Sequence, residues 1–265
     1  MRQTAIACAR AAGAILRARF GRVRRTTRKG DQSNVVTEAD LASERRIVDI
    51  VERRFPDHNI LAEETGFRRK TSDITWVIDP LDGTSNYAAG IPWYGVLIAV
   101  LRGASPVLGV MYLPDADLMY VAERGKGTTR NGKRVAVTRR TDLADVLCAY
   151  GLDATPDERR VRREALFLSR LVNRVRNIRG TNSAVDFCYT VDGRLGACVN
   201  HDTKIWDIAP FQIALEEAGG RLSDREGRKI RFDLTGDPCG VNYSIIGASP
   251  VLQRKLAALA RTSGF

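Results

Sequence analysis

Histidine is nearly absent from this 265-residue chain, His58 and His201 being the only two. A metal centre of clustered imidazoles is thereby excluded, and a histidine-dependent nucleophile has few candidates. Cysteine is sparse and unpatterned. Cys8, Cys148, Cys188, Cys198 and Cys239 are an odd number without a CxxC pair, which points away from a disulfide framework or thiolate zinc site and toward a reducing cytoplasm. No apolar run approaches the roughly 18 residues of a membrane span. There is no repeat, low-complexity tract or disordered linker, and 44% hydrophobic residues suffice for a real core.

Acid is missing from the first 30 residues, which hold eight arginines and no Asp or Glu. The whole chain carries a formal charge of +11 and a pI near 9.8. Such a balance steers anionic substrates, or marks a nucleic-acid or acidic-membrane surface. The basic start has the look of a targeting peptide, yet Ala9, Gly13, Leu16 and Phe20 recur at helical spacing, predicting a packed helix over residues 4–20 stopped by Gly21. Arg159, Arg160, Arg162 and Arg163 read as a solvated helix face.

Where acid does occur, it gathers at the ends of apolar runs. Trp76-Val77-Ile78-Asp79-Pro80-Leu81-Asp82-Gly83-Thr84-Ser85-Asn86-Tyr87 sets two carboxylates, a glycine and a hydroxyl at one corner. Pro80 cannot donate to a sheet, so the strand should stop at Asp79, leaving Asp79 and Asp82 at its rim. Gly83 allows close backbone approach, and a helix opening at Thr84 and Ser85 would offer N–H groups to a phosphate. Hard oxygen ligands beside such a phosphate suit Mg²⁺. Each dipeptide is also an ordinary turn former, but similar clusters recur. Leu61-Ala62-Glu63-Glu64-Thr65-Gly66 ends one apolar run, and Trp206-Asp207-Ile208-Ala209-Pro210 starts another that closes in Glu216-Glu217-Ala218-Gly219-Gly220. Thr37 followed by Asp40 reads as a helix cap that could still reach a metal-bound water.

Two rival phosphatase signatures fail on inspection. Cys188 to Arg194 spells C-x5-R, but five cysteines and 35 arginines in 265 residues give about 0.7 such matches by chance. The intervening residues read as a helix end, without a cradle of amides. Asp115-Ala116-Asp117 superficially offers an aspartyl nucleophile, yet Pro114 marks it as a hairpin turn.

A second helix is expected over 40–55, with Ile47, Val48, Val51 and Phe55 inward, after a polar, mobile loop at 22–34. Strands at 94–101, 107–113, 118–122 and 135–138, with turn signals at Pro114-Asp115 and Asn131-Gly132, make an antiparallel sheet. Beyond Thr141, helices at 156–174, 183–192 and from Asp207 alternate with strands at 175–179 and 195–199, and a strand and helix fill 244–260, an α/β pattern. His58 reads as a solvated turn residue.

In this order, Asp79-Pro80-Leu81-Asp82-Gly83-Thr84, Glu63-Glu64, Trp206-Asp207 and Glu217-Ala218-Gly219-Gly220 resemble the inositol monophosphatase family of Mg²⁺-dependent, Li⁺-sensitive phosphatases, over nearly the whole chain. The resemblance implies an α+β fold, a layered αβαβα sandwich of the inositol monophosphatase / fructose-1,6-bisphosphatase type. Its halves would be 1–140, with the antiparallel sheet and metal motifs, and 141–265, which completes the site. It further implies that Glu63, Asp79, Asp82, Asp207 and the Leu81 carbonyl bind two or three Mg²⁺ ions. Glu63 and Thr84 would orient the attacking water, Asp40 would lie near a further ion, and Gly83, Thr84 and Ser85 would meet the phosphate. Li⁺ would inhibit by taking an ion position, with the loop at 29–31 contributing, and the protein would be a cytoplasmic homodimer.

Asp82, Asp207, Asn182, Ser183 and Asn200 would contact a small phosphorylated alcohol, sugar or nucleotide, with His201 and Asp202 in the same stretch. Asn200 departs from the family pattern, where inositol-selective members carry glutamate seven residues before the C-terminal metal aspartate. An amide adds no charge against a second anion, so inositol 1-phosphate, fructose 1,6-bisphosphate, histidinol phosphate and nucleotide 3′-phosphates stay open, with preference for the more anionic. The reading from another class is a basic protein that binds RNA or a transcription complex on this scaffold.

Overall fold

Alternation within single strands sorts this chain into layers. The computed structural model describes residues 1–22, 26–28 and 35–262. It begins with α1 (Arg2–Arg19), the short pair β1 (Thr26–Arg28) and β2 (Val35–Thr37), and α2 (Glu38–Arg54). Next come β3 (Asn59–Ala62), β4 (Gly66–Arg68), β5 (Ile74–Asp82) and α3 (Thr84–Ala88). A meander follows, of β6 (Gly95–Arg102), β7 (Ser105–Leu113), β8 (Leu118–Glu123), β9 (Gly127–Arg130) and β10 (Lys133–Val135). The remainder alternates: β11 (Leu147–Tyr150), α4 (Glu158–Val172), β12 (Asn177–Arg179), α5 (Ala184–Val191), β13 (Ala197–Thr203), α6 (Ile205–Glu217), β14 (Arg221–Ser223), β15 (Tyr243–Ala248) and α7 (Pro250–Thr262).

An eight-stranded sheet runs β10-β9-β8-β7-β6-β5-β3-β4 and a five-stranded one β12-β11-β13-β15-β14. Along β6, Val96, Ile98 and Val100 pack with Ala9 and Leu16 of α1 and Ile47 and Val51 of α2. Their neighbours Leu97, Ala99 and Leu101 face the other way, onto Phe187 of α5 and Ile208 and Phe211 of α6. That second cluster includes Cys198, Leu222 and Ile245 of the smaller sheet, so α5 and α6 are held between the sheets. On the far side Val199 and Ile246 meet Phe167 of α4 and Leu252 and Leu256 of α7. The order is αβαβα, the sandwich that the resemblance implied. Phe211 is wholly buried and stacks on Phe187 at 4.6 Å; truncating such a side chain costs about 3–5 kcal/mol.

Several local expectations need correction. β5 does not stop at Asp79 but resumes pairing at Asp82↔Gly95 after an irregularity. Pro80 falls inside that bulge, where its missing N–H costs no ladder bond. The strand expected at 135–138 is β10, which ends at Val135 and pairs with β9 across a turn whose Asn131 and Gly132 have φ of 47° and 80°. Beyond it the Val137 N–H leaves the ladder to reach the Ala218 carbonyl. α6 begins two residues before Asp207. His58 is not a solvated turn residue: it stacks on Phe55 at 4.8 Å and faces the Trp76 indole N–H at 3.1 Å. Most of the loop expected at 22–34, including 29–31, lies outside the described residues.

Candidate active site

Parallel pairing builds the acidic end. β3 and β5 run parallel with Ala62 opposite Ile78, so Glu63, just past the end of β3, and Asp79, at the last regular pair of β5 before its bulge, stand side by side. The Glu63 N–H donates to the Ile78 carbonyl at 3.1 Å, extending the ladder to that point. Asp79 Oδ1 accepts the Leu81 N–H at 2.9 Å, which folds the chain into the bulge and brings Asp82 round. The first turn of α5 then fixes Asp82, whose Oδ1 accepts the Ala184 N–H at 2.8 Å. Asp207 comes from the first turn of α6 and accepts the Lys204 N–H at 2.7 Å. Carboxylate oxygens of Asp79, Asp82 and Asp207 thereby lie within 4.8 Å of one another.

Loss of water pushes the Asp79 carboxyl well above its ordinary range, and the charges of Glu63, Asp82 and Asp207 push it further. Asp82 is raised in the same way, by burial and then by Asp207. Burial lifts Asp207 to about 7. Carboxylates gathered this closely favour either protons or a cation. The donor set is entirely oxygen, with no imidazole or thiolate, which fits Mg²⁺ better than zinc or copper. Glu63, Asp79, Asp82, Asp207 and the Leu81 carbonyl, all lining one cavity of about 210 Å³, are the groups that would hold it.

Gly83 and Thr84 line the same cavity, whereas Ser85 is exposed and outside the lining. Gly83 has φ 89°, and a Cβ there would stand 2.6 Å from the Trp93 carbonyl oxygen; no other residue fits. The Thr84 hydroxyl faces Asp40 Oδ1 at 3.0 Å and the Leu81 carbonyl at 2.8 Å. Having one hydrogen, it serves one acceptor at a time. Asp40 sits behind the cavity and completes a capping box with Thr37, its Oδ2 accepting the Thr37 N–H at 2.8 Å. The cap is therefore present, and the same carboxylate touches Thr84.

Asn182, Ser183 and Asn200 line the same cavity, Ser183 beside Gly83. Asp202, from the stretch expected to meet the alcohol, also lines it, and sequence reasoning missed Asp153, Thr203 and Lys204, which join them there. Strand alternation keeps Asp202, two residues beyond Asn200 on β13, with Asn200. It also turns His201 to the other face. That ring is buried, 2.9 Å from the Tyr150 hydroxyl and 3.1 Å from Ser244 Oγ, and burial with nearby Arg160 pulls its pKa down to about 3. Arg160 is not part of a solvated face either, since it pairs with Glu164 at 2.6 Å and Asp202 at 3.0 Å.

Two more unanticipated residues sit one turn along α2 from Asp40. The Ser43 hydroxyl donates to the Pro80 carbonyl at 2.8 Å, and Glu44 Oε2 accepts the Glu64 N–H at 2.8 Å. One helical turn thus grips both acid-bearing corners. Glu217 does something else: its carboxylate accepts the Gly125 and Gly127 N–H groups at 2.8 and 2.7 Å, pinning a turn. Cys188 is fully buried in the central layer, and Arg194 pairs with Asp192, so C-x5-R makes no phosphate site. Asp117 lies in the β7–β8 turn with φ 49°.

Comparison with known proteins agrees with this geometry. The model of the inositol monophosphatase family matches residues 1–264. A fructose-1,6-bisphosphatase/inositol-1-monophosphatase of Aquifex aeolicus is 32% identical, over 89% of this chain and 86% of its own length. A protein of Pasteurella multocida named Nus factor SuhB is 35% identical, over 86% of each. Among solved structures, extragenic suppressor protein suhB from Bartonella henselae superposes with a TM-score of 0.89 at 29% identity, covering 98% of this chain and 97% of that one.

Proposed function

The chain belongs to the inositol monophosphatase family, and from that premise we propose that it is a Mg²⁺-dependent phosphatase that hydrolyses a small alcohol phosphate with water as nucleophile. The observation that carries this reading is the convergence of Asp79, Asp82 and Asp207 in a cavity shared with Glu63 and Thr84. Bound Mg²⁺ would supply a water of lowered pKa and charge neutralisation on the phosphoryl oxygens and leaving group. The chain's own contribution is placement. Glu63 accepts a proton from the attacking water, and the Thr84 hydroxyl, when not turned to Leu81 or Asp40, orients that water. Gly83 lets the phosphate approach the backbone. Asp40, through Thr84, is a positioning residue. Neither the reaction nor the site requires a covalent enzyme intermediate. The test is phosphate release from inositol 1-phosphate, fructose 1,6-bisphosphate, histidinol phosphate and a nucleotide 3′-phosphate, each with Mg²⁺ and with chelator. Release from none of them, or undiminished release in chelator, overturns the reading.

The same reading carries a cytoplasmic homodimer, for which the exposed Val161, Leu166 and Val172 of α4 offer apolar contact; sedimentation as a monomer would remove the dimer. A second reading, RNA or transcription-complex binding, draws on the +11 charge and on the relative named Nus factor SuhB. Sequence-independent RNA affinity that collapses with salt, in a protein without phosphatase activity, would favour it.

A further inference from the structure

We propose that the protein has a second ligand site, separate from the acidic cavity, that binds a small hydroxylated phosphate, such as a polyol or sugar phosphate, without metal. The proposal goes beyond the phosphatase reading and does not depend on it. The site is a cavity of about 280 Å³ that shares no lining residue with the acidic one. It lies where the β6–β7 turn, the end of β8, the second half of α6 and the segment at 229–232 meet. Helix α6 reaches both cavities. Asp207 stands in its first turn, and Gln212 and Glu216 follow by five and nine residues, roughly 8 and 14 Å along the axis at the rise of an α-helix.

Charge is reversed between the two. The acidic cavity is lined by six carboxylates and one cation, Lys204, whereas this one is lined by Arg124, Lys229 and Arg231 with Glu216 as its single carboxylate. Lys229 matches Glu216 at 3.1 Å, and among the described residues neither arginine pairs with a carboxylate. Two positive charges are left over for an anion. The wall itself places the groups that would meet it. The Arg124 guanidinium donates to the Pro106 carbonyl and Lys229 Nζ to Glu216, and both acceptors belong to lining residues. A guanidinium has five N–H donors, so Arg124 keeps others for phosphate oxygens while anchored, and such charge-assisted bonds are the strong ones.

Gln212 supplies the second requirement. Its side chain lines the cavity although the residue is only 3% exposed. Nε2 lies 3.3 Å from Glu216 Oε1 and 3.3 Å from the Ile230 carbonyl, both on lining residues, so the amide sits at the wall. Turning it over would set its oxygen against two acceptors, which fixes the orientation. Oε1, on the same carbon as Nε2, is buried and accepts no hydrogen bond from the described residues. A buried acceptor without a donor is costly, and a ligand hydroxyl removes that cost. An occupant that suits both features carries an ionised phosphate for the arginines and an alcohol O–H for Gln212.

The test is calorimetric titration of the metal-free protein at pH 8, where the phosphatase reading allows no turnover and the acidic cavity repels anions. The probes are glycerol 2-phosphate, methyl phosphate, which has the charge without the hydroxyls, and glycerol, which has the hydroxyls without the charge. Wild type should bind glycerol 2-phosphate more tightly than methyl phosphate, and glycerol not at all. Arg124→Ala with Arg231→Ala should weaken both esters by about tenfold or more; both residues are exposed, and Arg231→Ala alone keeps the test readable should the double variant unfold. Gln212→Met should bring glycerol 2-phosphate down to the affinity of methyl phosphate. Asp79→Asn, in the other cavity, should leave every affinity within about twofold. No binding of either ester by wild type, equal affinity for the two, binding unchanged without the arginines, or binding lost in Asp79→Asn overturns the proposal. Phosphate release in the presence of Mg²⁺ is decided separately, so either reading can fail while the other stands.

Discussion

Two groups of residues lining the cavity are built differently, and the difference explains what each can tolerate. At the acidic end each of the three aspartates is anchored by a backbone amide: Asp79 by Leu81, Asp82 by Ala184, Asp207 by Lys204. Its carboxylates are mutually repelling and short of water, a state relieved by protons or a cation. Among the other lining residues Asn182 donates to Asp153 and Asn200 to Asn182, and Asp202 is balanced by Arg160. One group stores repulsion for a metal; the other is a relay of polar contacts. Damage to the first should remove chemistry, and damage to the second should change which substrate is used.

The largest effect expected is at the acidic end. Asp79→Asn and Asp82→Asn should each lower turnover by more than about 100-fold, above the range typical of groups behind a metal ligand, with circular dichroism unchanged. Wild-type rates in both variants would erase the distinction between the groups. Behind the ligands, Glu44→Ala should raise the Mg²⁺ concentration for half-maximal activity by roughly 10- to 100-fold, because the turn bearing Glu63 loses the acceptor of its Glu64 N–H. Glu44→Gln keeps an acceptor and should stay close to wild type, so an equal defect in both would show that charge, not grip, matters there.

A pH experiment sharpens the same contrast. Asp207 is lifted by burial from about 3.8 to about 7, and Asp79 and Asp82 also rise. A carboxyl whose folded pKa is raised costs nothing below its unfolded pKa and destabilises as pH climbs through the folded one. The metal-free protein should therefore lose stability between about pH 4 and 7, and Mg²⁺ should raise Tm more at pH 8 than at pH 5. An equal or larger Mg²⁺ shift at pH 5 would contradict the repulsion described. A smaller expected effect is inhibition by Li⁺ at submolar concentration, competing for an ion position near Asp40. Insensitivity would leave a two-metal phosphatase and remove the Li⁺-sensitive subclass.

The acidic end was largely legible because its signal is local. Asp79, Asp82, Gly83 and Thr84 fall within six residues, and a proline and a glycine punctuate them. The Thr37–Asp40 box and the inward stripe of α1 are likewise short-range patterns. What the sequence hid is long-range: Glu63 reaches Asp79 only through a parallel register, and Ser43 and Glu44 look like any polar pair on a helix until α2 is laid against both corners. The other lining residues come singly from the loop after β11, the loop before α5 and β13, with no pattern of their own. Asn200 was noticed, Asp153 was not, and His201 was grouped with Asn200 although strand alternation puts it on the opposite face.

Calorimetric titration of Mg²⁺ into the metal-free protein near pH 6, in two buffers of different ionisation heat, tests the central claim most directly. Wild type should bind Mg²⁺ with release of protons, because carboxyls raised by burial and mutual repulsion must ionise to hold the ion, and Asp79→Asn should bind far more weakly. Mg²⁺ binding that releases no proton and is unaltered in Asp79→Asn would contradict the assignment of these carboxylates to a metal.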